Sequence, residues 1–456
     1  MRMRFAFGVG VMLSLLCPNK VVADTIMAAD GSTAGVQAAL DTATSGDTVV
    51  IPAGTFSFAG SVTLPAGISL VGAGATVTTL AKTGGSAEAL VVVECIDQPF
   101  EIRGISFVGI DDPTSGIMDK GVRVLGDCQD FRITDCTFEH FGEAAIYLRG
   151  NMRGVIDHSR FVDIYRPAID NYGYGVVVYG DGEPSWIRPL DLGGENAVFV
   201  EDSYFEYNRH AIASNNGSRY VFRYNEIVNN VPTYQAIDAH GFEYGSPRGS
   251  RSYEIYNNTV DNAEACWAGV AIRGGDGVIF DNEAIRGTTN AILLMNGSGS
   301  GCYPCQDQIR ELHIWGNTNS GDPVCAAVRG GYESVLQEDR DFFCHARPGY
   351  APFAYPHPLT GSGPSPDAGT ADAGTGDGGT SDSGVVDGGL STRDGGAMDA
   401  SGTDAAIDVG TGRARVAGGC CRVSTAGTPA PLELALTVTL LAALGRRRRR
   451  PRRNDR

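Results

Sequence analysis

Basic residues are scarce in this chain: 36 Lys and Arg stand against 53 Asp and Glu in 456 residues, a net charge of −17. No basic stripe is present to displace phosphate counterions, which argues against a nucleic-acid partner. Leucines at the fixed spacings of a leucine-rich repeat are missing. Gly72-x-Gly74 has no third glycine and no helix after it, so there is no dinucleotide fingerprint. Cys302-x-x-Cys305 has no second Cys-x-x-Cys to complete a zinc site. Glycine, by contrast, is abundant, at 62 residues, nearly twice the usual share of ~7 %.

The two ends read as addresses. Residues 1–23 combine Arg2 and Arg4, a short apolar run and Val-Val-Ala before Asp24, the pattern of a secretory signal peptide. At the other end, residues 418–456 hold Cys420-Cys421, an apolar segment over 432–444 and an arginine run over 446–450. That segment is shorter than the ~20 residues of a comfortable span, and the arginines would hold its cytoplasmic side. The order of Cys motif, apolar helix and Arg cluster resembles the MYXO-CTERM type of sorting tail. The resemblance implies transient membrane retention and processing near Cys420 or Cys421 by a sorting protease; an ordinary C-terminal membrane anchor is the alternative. Residues 361–417 are a Gly/Asp/Ser/Thr-rich linker without aromatics, with Asp367, Asp372, Asp377, Asp382 and Asp387 five apart. It cannot bury enough apolar area to offset its ordering entropy and is expected to be a disordered spacer. Setting aside the first 23 and last 11 residues leaves a charge of −27, of which residues 24–360 carry −21.

Residues 24–360 are repetitive. Ile133-Thr134-Asp135-Cys136-Thr137-Phe138 recurs as Ile156 to Phe161, Val200 to Phe205, Phe222 to Ile227, Ile255 to Val260 and Phe280 to Ile285. The closing apolar residues, from Phe107 to Ile285, are never closer than 22 apart, and the larger separations mark insertions. A second motif interleaves: Ala145-Ile146, Val176-Val177, Ala211-Ile212, Ala236-Ile237 and Ala291-Ile292. Short alternating strands between Gly, Asn and Asp turns at this period predict stacked β-coils, a right-handed parallel β-helix in one domain. Residues 33–43, with Val36, Ala39, Leu40 and Ala43 on one face, predict a cap helix over the first coil. The Pro- and aromatic-rich stretch 347–358 is expected to cover the far end.

The helix followed by the strand Val49-Val50-Ile51-Pro52-Ala53-Gly54-Thr55-Phe56 resembles the opening of the pectin-lyase-like superfamily. Ile68 to Gly74 is similar to its first complete coil, and the likeness covers residues 24–359. Eight cysteines fall in the body, as suits an oxidising compartment. Cys95 and Cys128 occupy similar places in successive coils and are the expected disulfide; Cys302 and Cys305 are a second candidate pair.

Outward side chains at equal positions of successive coils stack about 4.8 Å apart into a ladder, along which a polysaccharide can lie. Three residues beyond the Ile or Val of the second motif stand Arg149, Tyr179, Asn215, His240, Arg273 and Met295. One residue beyond it stand Tyr147, Val177, Ala213, Asp238, Ala271 and Leu293. Asp238, His240 and Arg273 are therefore expected within two coils. Polysaccharide lysis needs a base for the proton α to a uronate carboxyl and a cation for the developing carbanion. His240 or an Arg is the candidate base, Asp238 its orienting partner, and Arg273 or a carboxylate-bound Ca²⁺ the neutraliser. Arg149, Tyr179, Asn215, Arg219, Arg248 and Arg251 are candidate substrate contacts. Val155-Ile156-Asp157-His158 is similar to the "WIDH" strand of pectate lyases. Pro247 to Arg251, followed by Ile255-Tyr256-Asn257-Asn258, resembles their Arg/Pro motif and "YNN" strand. Gly245 stands where the family has its basic Arg, and its calcium-binding aspartate cluster has no counterpart. The paired aspartates and Gly-His-Gly of polygalacturonases are also missing; Asp111-Asp112 falls in a turn. The acidic body would repel a uronate polymer unless Ca²⁺ or the arginines, Arg223 among them, focus the opposite potential. Two functions stay open: a polysaccharide lyase or related carbohydrate-active enzyme, and a non-catalytic surface β-helix that binds glycan or serves as an adhesin.

Overall fold

The computed structural model describes residues 23–86, 88–168, 172–242 and 246–362. The export segment before residue 23, the linker beyond residue 362 and the tail with Cys420 and Cys421 lie outside the described residues.

Each full coil contributes one strand to each of three parallel sheets. In one coil the strands are Ala144–Arg149, Met152–Asp157 and Arg160–Val162; the next supplies Tyr174–Tyr179, Val198–Glu201 and Tyr204–Glu206 in register with them. The stacking continues through His210–Asn215, Arg219–Arg223 and Glu226–Val228 to Gln235–Ala239 and Ser252–Tyr256. Below, these are called the first, second and third sheets in that order. Each strand buries one face against the shared core, so no coil is stable without its neighbours.

The polar middle of the repeated motif has a structural cause. Between the second and third sheets one residue per coil adopts a left-handed backbone: Asp135, His158, Asp202, Tyr224, Asn257 and Asp281, with φ of 48–56°. Asp and Asn tolerate this conformation better than most residues. The following residue turns inward and bonds along the stack. Asn258 Oδ1 accepts from the Asn225 amide at 3.0 Å, and Asn282 and Asn317 continue the pattern. Ser203 and Ser159 carry it toward Cys136. Beside it Phe107, Phe138, Phe161 and Phe205 stack at 5.0, 5.2 and 4.6 Å with planes within 9°. Asn258→Ala should leave the Asn225 amide and the Phe222 and Tyr256 carbonyls without this partner. At roughly 1–3 kcal/mol for a stranded buried group, a clear fall in melting temperature is expected, with Asn258→Ser, which keeps an acceptor as Ser203 does, milder.

Four expectations are corrected in detail. Val260 pairs with Ala284, not Ile285, because the register is already one residue earlier, with Ile255 on Ile279 and Tyr256 on Phe280; Ile285 falls at the bulge that follows and is 42 % exposed. The slip moves that side chain to the other face. The strand expected over Val49 to Phe56 breaks at Pro52-Ala53 into Thr48–Ile51 and Gly54–Phe58. The cap helix runs Thr33–Leu40, with Ser32 Oγ accepting from the Gly35 amide and Val36, Ala39 and Leu40 buried. Residues 347–358 do not cover the far end. They run back along the outside of the second sheet as a strap: Arg223 donates to the carbonyls of Phe353 and Ala354, both at 2.8 Å. The His357 amide donates to Glu201 Oε1, Tyr350 OH to Glu254, and Tyr355 stacks on Tyr224. The last coils are instead followed by residues 302–344, where Val335, Leu336 and Phe342 are buried and Cys302–Cys305 and Cys325–Cys344 are bonded. Cys95 and Cys128 are joined as expected. Cys136 and Cys266 are buried thiols, pushed by burial up to about 12 and about 11. Among the described residues no helix is long and apolar enough to cross a membrane.

Candidate functional site

Parallel pairing puts the ladder residues in the expected columns. Tyr147, Val177, Ala213, Asp238, Ala271 and Leu293 pair in succession across the first sheet. Arg149 pairs with Tyr179 and Tyr179 with Asn215. The His240 amide then donates to the Ser214 carbonyl and the Arg273 amide to the Ala239 carbonyl, which extends this column by two coils. Ile237 and Ala239 point into the core, so Asp238 and His240 face outward.

Asp238 is nonetheless fully buried beneath its neighbours. It accepts from Arg273 Nη2 at 2.8 Å and from Gln235 Nε2 at 2.5 Å. His240 Nε2 lies 3.8 Å from Asp238 Oδ2, too far for a hydrogen bond. The expectation that Asp238 fixes the His240 ring is therefore revised: a buried carboxylate needs a charged partner, and the Arg273 guanidinium fills that place. Burial alone would raise the Asp238 carboxyl, but Arg273 and the neighbouring imidazoles hold it below the ordinary carboxylate range. His240 and Arg273 keep side-chain exposures of 22 % and 21 %, which leaves them as the surface a ligand can reach.

Two groups under this surface escaped the sequence reading. His210 is buried, with Nδ1 2.6 Å from the Gln235 carbonyl oxygen, and burial holds it down to about 3. Gln235 lies one coil on from it and fixes Asp238. Beside them Arg209 lies over the rings of Tyr172, Tyr174 and Tyr234 at 5.8, 5.3 and 4.7 Å. Tyr179, half-buried, meets Tyr147 edge-on at 5.5 Å. Asn215 is buried, and its Oδ1 accepts from the Asn216 amide and Ser246 Oγ.

The other arginines are engaged away from the ladder. Arg219 donates to Ser185, Arg188 and Pro189, holding the insertion that carries the short helix Glu183–Ile187. Arg248 pairs with Asp307 and Glu183 at 2.6 Å each and lies over Trp186. Arg251 pairs with Asp276 at 3.0 Å and shares the same ring. Asp157, of the motif likened to "WIDH", is buried on the second sheet under Arg132, Thr134 and His158. Asp112 caps a turn by accepting from Thr114.

Among the described residues the ladder offers few oxygen ligands to a Ca²⁺ ion. Between Arg149 and Met295 its two columns hold one carboxylate, Asp238, whose oxygens already accept from Arg273 and Gln235, whereas calcium takes 6–8 oxygen ligands. Asp111, His140 and Asp163 bring possible ligand atoms within 4.8 Å of one another on a different turn. There His140 Nδ1 lies 3.0 Å from Asp163, which raises the imidazole, and Arg166 lies 3.5 Å from the same carboxyl.

Comparison with known proteins bears on the fold. The family model described as "Right handed beta helix region" matches residues 120–308. No curated protein matches the sequence. Among solved structures the chain is similar to alginate lyase from Paenibacillus sp. str. FPU-7, at 18 % identity over 60 % of this chain and 98 % of that one, TM-score 0.41. It is similar to the A-module of a mannuronan C-5 epimerase from Azotobacter vinelandii, at 14 % over 70 % and 97 %, TM-score 0.38. It is also similar to endo-xylogalacturonan hydrolase from Aspergillus tubingensis, at 11 % over 70 % and 90 %, TM-score 0.42. No residue role is transferred at such distances. With three parallel sheets in register and the family match over its central coils, the fold of this chain is a right-handed parallel β-helix.

Proposed function

We propose that this is an exported, surface-associated protein that engages polysaccharide along the outward ladder of the first sheet and acts on it as a lyase. The observation that carries the reading is the pair of accessible side chains, the His240 imidazole and the Arg273 guanidinium, set side by side over the buried Asp238. Asp238 holds Arg273 in place, and Arg273 meets the uronate carboxyl as negative charge develops on it. His240, in its neutral form, takes the proton α to that carboxyl. The electron pair forms the new double bond as the glycosidic C–O bond breaks, and the leaving oxygen collects a proton from water. Asp238 is a positioning residue, since it is not exposed. Any calcium would arrive with the carboxylates of the substrate. Tyr179, Tyr147 and Arg149 extend the contact upstream.

A second reading has its own support. Asp238 already balances the charge of Arg273, which suits a site that holds a glycan without breaking it. Absorbance of unsaturated products on a panel of uronate polymers, with and without Ca²⁺, separates the two. His240→Ala and Arg273→Ala should each abolish that absorbance, or glycan retention in its absence, while His240→Ala leaves the melting temperature unchanged. Activity that survives both changes would remove the ladder from the function.

The export route rests on the sequence signals at the two ends. Replacing Cys420 and Cys421 together by alanine should leave the Arg-tailed precursor in the inner membrane. Normal surface delivery of that variant would reduce the tail to a plain anchor.

A further inference from the structure

We infer that a cleft at the far end of the stack, apart from the ladder, binds a hexuronate: one pyranose ring that carries a carboxylate. None of its lining residues stands in a ladder column, so the site does not depend on what the ladder does to a polymer.

The cleft has a volume of about 290 Å³ and is lined by Tyr303, Pro304, Gln308, Arg310, Arg340 and Asp341. Ligand sites typically run from ~300 to 1,000 Å³, so this one suits a single ring and not a stretch of polymer. Its frame is held from several sides. Cys302–Cys305 closes the turn that presents Tyr303. Gln308, 2 % exposed, ties that turn to the segment opposite. Its Oε1 accepts from the Cys305 amide, and its Nε2 donates to the Val335 carbonyl and to Asp341 Oδ1. Arg340 donates through Nε and Nη2 to Asp341 Oδ2 and lies 4.1 Å from the centre of the Tyr303 ring. The Arg310 amide is fixed on Asp276 Oδ1 at 3.2 Å.

Charge balance decides what fits. Asp341 is buried and matched by Arg340. Along the adjoining turn Asp276 is matched by Arg251, Asp307 by Arg248 and Glu311 by Arg347. Arg310 is left over. Its side chain is exposed and, among the described residues, donates to no other group. A guanidinium without an acid calls for an anion, and its planar fork matches a carboxylate. Tyr303 supplies the rest of the specificity. With Arg340 against its ring it is still 54 % exposed. The electron-rich face of such a ring attracts the C–H groups on one side of a pyranose.

The full chain would be titrated with D-galacturonate and D-glucuronate, with galactose and glucose as neutral counterparts and inorganic phosphate as a bare anion. Ligand-observed NMR follows the binding. At least one uronate should bind about tenfold tighter than its neutral counterpart, the worth of a charge-assisted pair. Arg310→Ala should remove that advantage. Tyr303→Ala should weaken binding severalfold, whereas Tyr303→Phe, which keeps the ring, should not. Both side chains are exposed, so the variants should fold as wild type does. Uronates that bind no better than neutral sugars, or a preference unchanged in Arg310→Ala, overturn the inference. Phosphate that binds as tightly as the uronates, with no effect of Tyr303→Ala, overturns it too, since the cleft is then a bare anion site. A uronate preference lost in His240→Ala and kept in Arg310→Ala places the sugar on the ladder, which excludes the cleft and leaves the polysaccharide reading intact.

Discussion

Arg223→Ala is expected to destabilise the body by about 3–5 kcal/mol, the usual cost of removing one member of a buried ion pair. Arg223 and Glu201 are both 0 % exposed, and the guanidinium meets the Glu201 carboxylate at 2.6 and 2.7 Å. The same guanidinium donates to Tyr256 OH and to the Phe353 and Ala354 carbonyls, so its loss leaves four acceptors short of a donor. Burial already pushes the Glu201 carboxyl up against the pull of Arg223 and the His357 amide. Without Arg223 one of the pulls that oppose burial is gone, and the carboxyl is pushed further up. Chemical denaturation gives the loss, and limited proteolysis should find a new early cut within residues 347–360. An unchanged denaturation midpoint would mean that the strap contributes nothing to stability.

Stability should also fall steeply as the solution is acidified below about pH 6.5. Burial holds His357 down to about 4 and His210 to about 3. Between those values and the ordinary ~6.5 the unfolded chain binds protons that the folded chain refuses, so the native state loses ground as pH falls. A tenfold change in proton affinity is worth about 1.4 kcal/mol, which puts His357 at roughly 3 and His210 at roughly 5 kcal/mol. Asp238, held low, adds a loss of the same sign at still lower pH. His140 and His158 are raised and act in the opposite direction, their stabilisation present in acid and lost on going alkaline. Both are more accessible, with side-chain exposures of 21 % and 53 %, so screening makes them the smaller contribution. The slope of unfolding free energy against pH between 6 and 4 should flatten by close to one proton in His357→Asn. An equal slope in variant and wild type would contradict this assignment.

The coils and the ladder could be read from the residues because parallel pairing repeats one geometry, so a single alignment of Ile146, Ile212, Ile237 and Ile292 fixes what stands beside what. The same reasoning missed Gln235 and His210 for a definite reason. Ala236 and Ile237 both face the core, so the strand bends there and strict alternation fails. Counting outward from Ile237 reaches Asp238 and His240 but places Gln235 on the wrong side. Arg219, Arg248 and Arg251 had the right charge for substrate contacts. Of their partners, Ser185, Glu183 and Asp307 lie in insertions or turns that a periodic alignment does not bring near, whereas Asp276 stands in the next coil, paired with Ser252 beside Arg251. The strap is hidden for the same reason: Arg223 finds Phe353 across 130 positions, with no repeat to announce it.

The course of that strap also decides how the body bears load. Residue 362 ends a short helix, Pro358–Ser362, that touches the strands around Met152–Asp157, well before the last coil. A pull applied there enters the middle of the stack, through Tyr355 on Tyr224, His357 on Glu201 and the two carbonyls on Arg223. These contacts lie in a row and can peel one after another, while the coils beneath are held by ladders of backbone bonds that must shear together. Under tension the strap yields first as a fuse, and the terminal coil, which would otherwise unwind like thread from a spool, is spared.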